Sequence, residues 1–97
     1  MYGLHNSLLA KSGKRKALAD ILTKASTMLT QKNDCHAYIV SMDRIDPDRI
    51  WVTEVWDSKQ SHDDALSDTG VRLLIAQGIE LLREMPQPGQ ELDVVHI

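Results

Sequence analysis

The segment 50–56 alternates more regularly than any other part of the chain, and this alternation constrains the fold most. Its sequence is IWVTEVW. Because successive side chains of a β-strand point to opposite sides of the sheet, the alternation predicts a strand with apolar residues on both faces. One face would carry Ile50, Val52, Glu54 and Trp56, and the other would carry Trp51, Thr53 and Val55. Both faces of such a strand need cover.

The rest of the chain supplies three more strands and two amphipathic helices. Apolar residues recur at helical spacing in two segments, and runs rich in strand formers surround them. The predicted elements are a strand over 2–11, a helix that Ser12 caps and that ends near Lys32–Asn33, strands over 35–42 and 50–56, a short polar helix or helical turn from Ser58, a second amphipathic helix from Val71 to the stop at Pro86, and a strand over 91–97. The order strand, helix, strand, strand, helix, strand predicts an α+β, ferredoxin-like βαββαβ fold. Its four-stranded antiparallel sheet has the helices on one face.

Length and charge narrow the class of protein. A chain of 97 residues makes one domain, over 1–97, since domains usually need about 100–150 residues. The net charge of −3 argues against a nucleic-acid partner, which attracts basic domains. No apolar run is long enough to span a bilayer, and the basic residues at 11–16 follow the first apolar stretch instead of preceding it. We therefore expect a cytoplasmic protein with no membrane contact.

The second face of the predicted sheet indicates a homodimer. Helices would cover one face only, which leaves Trp51 and Val55 without cover. The chain has four aromatic residues and no Phe, so its core is modest, and isolated domains of this size are often marginally stable. Two copies packed sheet to sheet would cover both outer faces.

Three fragments, in this order and spacing, carry a resemblance to a known family. They are the Ser12-Gly13 turn before the first helix, the Cys-His-x-Tyr start of the second strand at 35–38, and the Glu-x-Trp-x-Ser end of the third strand at 54–58. The chain resembles the antibiotic biosynthesis monooxygenase family over essentially its whole length. Within that family it is most similar to the small quinol monooxygenases.

This resemblance implies a dimeric α/β barrel and a particular chemistry. Each subunit would hold a pocket between its sheet and its helices. The oxygenases of the family oxidise anthrones, aromatic polyketides or quinols with molecular oxygen and need no flavin, haem or metal. The expected partner is therefore a small aromatic substrate or ligand, and the expected cofactor is none. The protein would bind the ring, exclude water and stabilise the anion.

The resemblance assigns the ring-binding role to Trp56, which would stack on a planar substrate. Leu22 and Leu74 would line the same pocket from the two helices. The alternative is that Trp56 is only a core residue. Ring binding by Trp56 predicts an open apolar cavity between the sheet and the helices, because a core filled by leucines would leave no room for a substrate.

Glu54, His62 and Asn6 are the candidates for proton transfer and anion binding. Glu54 lies between apolar neighbours, so burial would raise its pKa and let it accept a phenolic proton near neutral pH. The alternative is a structural hydrogen bond, or an ion pair with an Arg or Lys of another strand or of the partner subunit. His62 is a candidate base, although it could lie on the surface between Asp63 and Asp64. Asn6 would hold the anion, or it could satisfy a backbone group.

Other functions remain open at this point. Haem degradation on the same scaffold needs a His ligand where this chain has Ile75, which cannot bind iron. Adjacent helical residues diverge by about 100°, so His62, Asp63 and Asp64 do not form a metal site, and Cys35 is expected to be a buried, inert thiol. The main alternative is a non-enzymatic dimeric ligand-binding or stress-associated protein, and a third is an isomerase or signal-processing enzyme.

Overall fold

The computed structural model describes residues 1–97 and consists of four strands and three helices. The elements are β1 (Tyr2–Leu9), α1 (Arg15–Leu29), β2 (Cys35–Met42), β3 (Arg49–Trp56), α2 (Lys59–Ala65), α3 (Thr69–Ile79) and β4 (Gln90–Asp93). This arrangement confirms the predicted α+β, ferredoxin-like fold, with the second helical region divided in two.

The sheet has the strand order β2-β3-β1-β4, and every neighbouring pair is antiparallel. The predicted alternation of β3 is confirmed, since Ile50, Val52, Glu54 and Trp56 are all buried. The register places Glu54 opposite Leu4 of β1 and opposite Tyr38 of β2. These three side chains therefore share the inner face, on which the helices pack.

The first helix is shorter at its C-terminal end than predicted, and its start differs too. The predicted cap at Ser12 is wrong, because the N-cap is Lys14 and no side chain caps the helix. The predicted end near Lys32–Asn33 is also wrong, because α1 stops at Leu29. Leu29 is the last apolar residue of the buried face, and residues 30–34 are all polar, so no packing extends the helix beyond it.

Each of the helices α2 and α3 begins after a residue whose side chain caps it. The hydroxyl of Ser58 accepts a hydrogen bond from the backbone N–H of Ser61 and starts α2. The carboxylate of Asp68 accepts one from the N–H of Val71 and starts α3. Both are ordinary N-caps.

The last third of the chain departs from its predicted pattern. The helix α3 ends at Ile79 and not at Pro86, because the segment that follows pairs with the chain beyond β1: the N–H of Arg83 donates to the carbonyl of Leu9, and the N–H of Lys11 to the carbonyl of Leu81. The last strand covers only Gln90–Asp93. None of the helices has the length and apolar character that crossing a membrane requires.

The buried core consists of two separate clusters. One holds Ala10, Leu18, Ala19, Ile50, Val52 and Leu82. The other holds Leu29, Cys35, Trp56, Ala65 and Val71. Members of both clusters line the same cavity, so the space between the clusters is open instead of being filled by side chains.

Candidate active site

A cavity of about 330 Å³ lies between the inner face of the sheet and the helices. This volume is at the lower end of the range for small-molecule pockets, about 300–1,000 Å³. Fifteen of its 19 lining residues are hydrophobic. The residues that matter below are Leu22, Tyr38, Glu54, Trp56, His62 and Leu74. The lining also provides the only two charged or imidazole side chains of the cavity, Glu54 and His62.

Glu54 and Trp56 form a buried pair on β3. They are two residues apart, so both point to the inner face. The indole Nε1–H of Trp56 donates to Oε1 of Glu54 over 3.0 Å, and the residues are 1% and 9% exposed. This bond fixes one carboxyl oxygen and explains how a polar side chain is accommodated in the core.

His62 comes from α2 and closes the polar end of the cavity. Its Nε2 lies 3.8 Å from Oε1 of Glu54, and its ring meets Trp56 edge-on at a centroid distance of 5.8 Å. Its Nδ1 lies 2.9 Å from Oδ1 of Asp63. The His62 side chain is 13% exposed, so the expectation of a surface histidine is not what the structure shows.

The electrostatics of the site follow from burial. Desolvation raises the pKa of Glu54, and this outweighs the opposing effects of the Trp56 hydrogen bond and of His62. Desolvation, together with the nearby Glu54 carboxyl, also raises the pKa of Tyr38. Tyr38 therefore stays a neutral phenol, whereas Glu54 is a carboxyl group that can hold a proton. The alternative of a structural hydrogen bond for Glu54 is present in the structure, as the bond from Trp56. Within this chain the ionisable partner of Glu54 is His62 and not an Arg or Lys.

The structure brings five of the six predicted site residues together. Trp56, Glu54, His62, Leu22 and Leu74 all line this cavity.

Asn6 is the exception among the predicted residues. It lines a second, more polar cavity beside the segment 84–90. Its Oδ1 accepts a hydrogen bond from the N–H of Ser7, and it stands opposite Val52, one inner-face position away from Glu54. The predicted role of Asn6 in holding the anion has no support from this geometry.

The family of the chain follows from a match to a family model. The model described as Antibiotic biosynthesis monooxygenase matches residues 1–77. The chain belongs to this family.

Solved structures of other proteins agree with this membership. A protein of the antibiotic biosynthesis monooxygenase family from Chloroflexus aurantiacus J-10-fl is 38% identical; the match covers 98% of this chain and 93% of that chain, with a TM-score of 0.88. Two further structures with the same family name share the fold. The one from Deinococcus radiodurans is 22% identical, covers 100% of this chain and 95% of its own, and has a TM-score of 0.84. The one from Nitrosomonas europaea is 11% identical, covers 99% and 100%, and has a TM-score of 0.90. No curated protein matches the chain.

The sequence did not predict two of the residues at this site. Tyr38 lines the cavity opposite Glu54, and the alternation of CHAYIVSM would place it there once the register of β2 on β3 is known. Asp63 contacts His62 through a bond between adjacent residues, which no spacing rule indicates. No three His, Cys, Asp or Glu side chains lie in an arrangement that could hold a metal ion.

Proposed function

We propose that the protein is a cofactor-independent monooxygenase that oxidises a quinol-like or polycyclic phenolic molecule with O2. The observation that carries the proposal is the composition of the cavity. Apolar side chains line it almost throughout, and the side chains of Glu54 and His62 meet at its Trp56 end. A planar aromatic molecule with a hydroxyl group matches such a lining.

The chemistry needs little from the protein beyond binding and proton transfer. A base in the pocket removes the phenolic proton, and the electron-rich anion passes one electron to O2, which gives a substrate radical and superoxide. Their combination forms a carbon–oxygen bond, and the resulting peroxide takes up the proton. Loss of water then leaves a carbonyl group. For a ring carbon bearing two hydrogens, the sum is RH2 + O2 → R=O + H2O, so the substrate supplies all four electrons.

Each residue has a defined part in this scheme. Trp56 forms a wall for the ring, with Leu22 and Leu74 on the helix side. Glu54 or His62 takes the proton, because both hold polar atoms at the same end of an otherwise apolar space. Exclusion of water by the apolar lining strengthens the electrostatic stabilisation of the anion.

Oxygen uptake tests this function directly. The purified protein is mixed with a panel of reduced naphthoquinones, anthrones and flavonoid phenols, with a chelator present and no added cofactor. We expect uptake above the autoxidation blank that falls by roughly 10²–10⁴-fold, the loss typical of a general base, in whichever of His62→Ala and Glu54→Gln removes the proton acceptor. His96→Ala is the matched control, because His96 is exposed near the end of the chain, away from the cavity, and its loss should leave the rate unchanged.

The same experiment can reject the proposal. No protein-dependent uptake across the panel, combined with saturable binding of the oxidised quinones, would favour the ligand-binding alternative. Uptake that disappears with the chelator would contradict cofactor-free oxygenation.

The outer face of the sheet supports the homodimer as a second part of the proposal. Ile39 and Leu92 are 53% and 48% exposed on this face, and Trp51 and Val55 lie between them in the sheet. A second copy packed on this face would remove these apolar groups from water.

Light scattering tests the dimer. The expected mass is twice the 10.9 kDa of one chain, and Ile39→Glu should shift it towards one chain. Ile45→Glu is the control, since Ile45 is 94% exposed in the loop between β2 and β3. A single-chain mass for the unmodified protein would contradict sheet-to-sheet packing.

A further inference from the structure

The bond between His62 and Asp63 defines the state of the imidazole ring. A carboxylate can only accept hydrogen bonds, so the contact of 2.9 Å between Nδ1 and Oδ1 requires the proton to be on Nδ1. The same bond lowers the pKa of Asp63, which keeps that carboxyl group ionised. In the neutral ring, Nε2 then carries the free lone pair.

The other ring nitrogen faces the cavity with no partner at hydrogen-bonding distance. Nε2 lies 3.8 Å from Oε1 of Glu54, which exceeds the range of about 2.7–3.2 Å for such bonds. Oε1 already accepts from Trp56. The two groups are therefore close enough for one ligand hydroxyl to contact both, and of the two facing atoms Nε2 is the one without a hydrogen-bond partner.

Asp63 is itself held from outside the cavity. Nζ of Lys59 lies 3.9 Å from Oδ2 of Asp63 and 3.4 Å from Oε2 of Glu91 on β4. The hydroxyl of Tyr2 donates to the same oxygen of Glu91. This surface network joins α2 to β4 and restricts the orientation of the Asp63 carboxylate.

We infer that Asp63 is a positioning residue that holds His62 in the Nδ1–H tautomer, so that Nε2 of His62 is the atom that takes the substrate proton. The inference rests on the proposed function and chooses between its two candidate bases. After proton transfer, the imidazolium would lie between the carboxyl groups of Asp63 and Glu54, and both would stabilise its positive charge.

The tautomer can be measured without any substrate. Long-range ¹H–¹⁵N NMR spectra distinguish a protonated Nδ1 from a protonated Nε2. We expect the Nδ1–H form in the unmodified protein and in Asp63→Asn, whose amide oxygen can still accept the bond. We expect a mixture or the Nε2–H form in Asp63→Ala. The control is Asp64→Ala, because Asp64 bonds to Gln60 and not to His62. An unchanged Nδ1–H tautomer in Asp63→Ala would overturn the positioning role.

Steady-state kinetics then test the consequence. With a substrate found by oxygen uptake, Asp63→Ala should lower kcat by at least about tenfold with little change in KM, short of the ~10²–10⁴-fold loss for a missing general base. Asp63→Asn should retain more activity than Asp63→Ala, and Asp64→Ala should match the unmodified protein. Equal rates in Asp63→Ala and Asp64→Ala would overturn the inference. If no substrate is turned over, the proposed function fails, and the NMR result alone decides the positioning role.

Discussion

The strand β3 carries one tryptophan on each of its faces, and each indole donates a hydrogen bond to a carboxyl group; the two resulting pairs behave in opposite ways. On the inner face, Nε1 of Trp56 donates to Glu54 over 3.0 Å. On the outer face, Nε1 of Trp51 donates to Asp43 over 2.8 Å. The hydrogen bond is chemically the same in both pairs, so any difference must come from the surroundings.

The pKa values of the two carboxyl groups move in opposite directions. Asp43 is only partly buried, and the bonds from Trp51 and from the backbone N–H groups of Asp46 and Ile45 lower its pKa to about 2. Glu54 is buried, and desolvation raises its pKa in spite of the bond from Trp56. Desolvation therefore decides the direction at Glu54 and hydrogen bonding decides it at Asp43, so that only the inner pair has a carboxyl group with a raised pKa.

Each tryptophan also has a histidine neighbour, and the contrast extends to them. His5 stacks on Trp51 with a centroid distance of 5.1 Å and an interplanar angle of 5°, and its Nδ1 lies 3.0 Å from the hydroxyl of Thr53. His62 meets Trp56 edge-on and turns Nε2 towards Glu54. On the outer face, His5 is stacked on Trp51 and lies within hydrogen-bonding distance of Thr53, so its contacts are to other residues of the sheet. On the inner face, Nε2 of His62 remains available to a ligand.

The largest expected effect is on stability. Trp56 is 1% exposed, so Trp56→Ala should lower the free energy of unfolding by about 3–5 kcal/mol, because it removes a large buried ring and leaves a cavity. Trp51 is half-buried in a single chain. In the Ile39→Glu background, where the outer face is not packed on a second copy, Trp51→Ala should therefore cost about 1 kcal/mol, a typical value for a single substitution. Urea denaturation of both variants in that background, followed by far-UV circular dichroism, measures the two losses. Equal losses there would contradict the difference in burial between the two faces.

The next effect is on ligand binding. A naphthoquinone in the cavity should quench the fluorescence of Trp56 and should still do so in Trp51→Phe, where Trp56 is the only indole. In Trp56→Phe the quenching should be largely lost, and affinity should fall by roughly 2–10-fold, which corresponds to the ~0.5–1.5 kcal/mol of an aromatic pair. Unchanged quenching in Trp56→Phe would place the ligand beside Trp51 instead.

The position of the two tryptophans on opposite faces of β3 could be predicted from the sequence. A period of two assigns Trp56 and Glu54 to one face and Trp51 to the other, and the structure confirms it. The four-stranded antiparallel sheet followed from the order of elements along the chain. The helix ends could not be predicted, since α3 stops at Ile79 where backbone pairing with the chain beyond β1 takes over, and apolar periodicity carries no sign of that pairing.

The composition of the site was predicted less completely than the fold. The neighbours of His62 depend on how α2 is docked, and its flanking aspartates suggested a surface position equally well. The separation of Asn6 from the cavity depends on the segment 84–90, which lies beside it. Such contacts join parts of the chain that are distant in sequence, and spacing rules describe only local neighbours.

The dependence of stability on pH sharpens the contrast for the inner pair. The pKa of Glu54 is raised above its ordinary value of 4.5, so the folded state holds a proton that the unfolded state releases. Stability from this group is complete below pH 4.5 and is lost as pH rises through the folded pKa, by up to about 1.4 kcal/mol per pH unit. Chemical denaturation from pH 4 to 8 should show this loss relative to Glu54→Gln, which cannot ionise.

The variant His62→Ala distinguishes the effect of His62 on this loss of stability from the effect of desolvation. His62 lowers the pKa of Glu54 and desolvation raises it, and Tyr38 is the other titratable side chain facing the group. In His62→Ala the desolvation is less opposed, so the loss should extend to higher pH. Parallel pH profiles for the unmodified protein and Glu54→Gln would show that the carboxyl group is hydrated in solution.

The outer pair should give the opposite slope and the smallest effect. The ordinary pKa of Asp43 is 3.8 and its folded value is about 2, so the unfolded state binds a proton first as pH falls between these values. Stability from Asp43 is therefore present above pH 3.8 and is lost as pH falls through about 2, because the unfolded state binds more protons in that window. Asp43→Asn should remove this loss of stability at low pH. The control is Asp20→Asn, because Asp20 is an exposed carboxylate paired with Lys16 on α1 and its replacement should leave the loss unchanged. If Asp43→Asn preserved the loss, the hydrogen bond from Trp51 would not hold the charge in solution, and the chemical equivalence of the two pairs would no longer stand. Asp43 also accepts bonds from two backbone N–H groups, which Glu54 lacks. A confirmed pair of opposite slopes would therefore show that desolvation outweighs the indole bond at Glu54, and that the indole and backbone bonds together outweigh desolvation at Asp43.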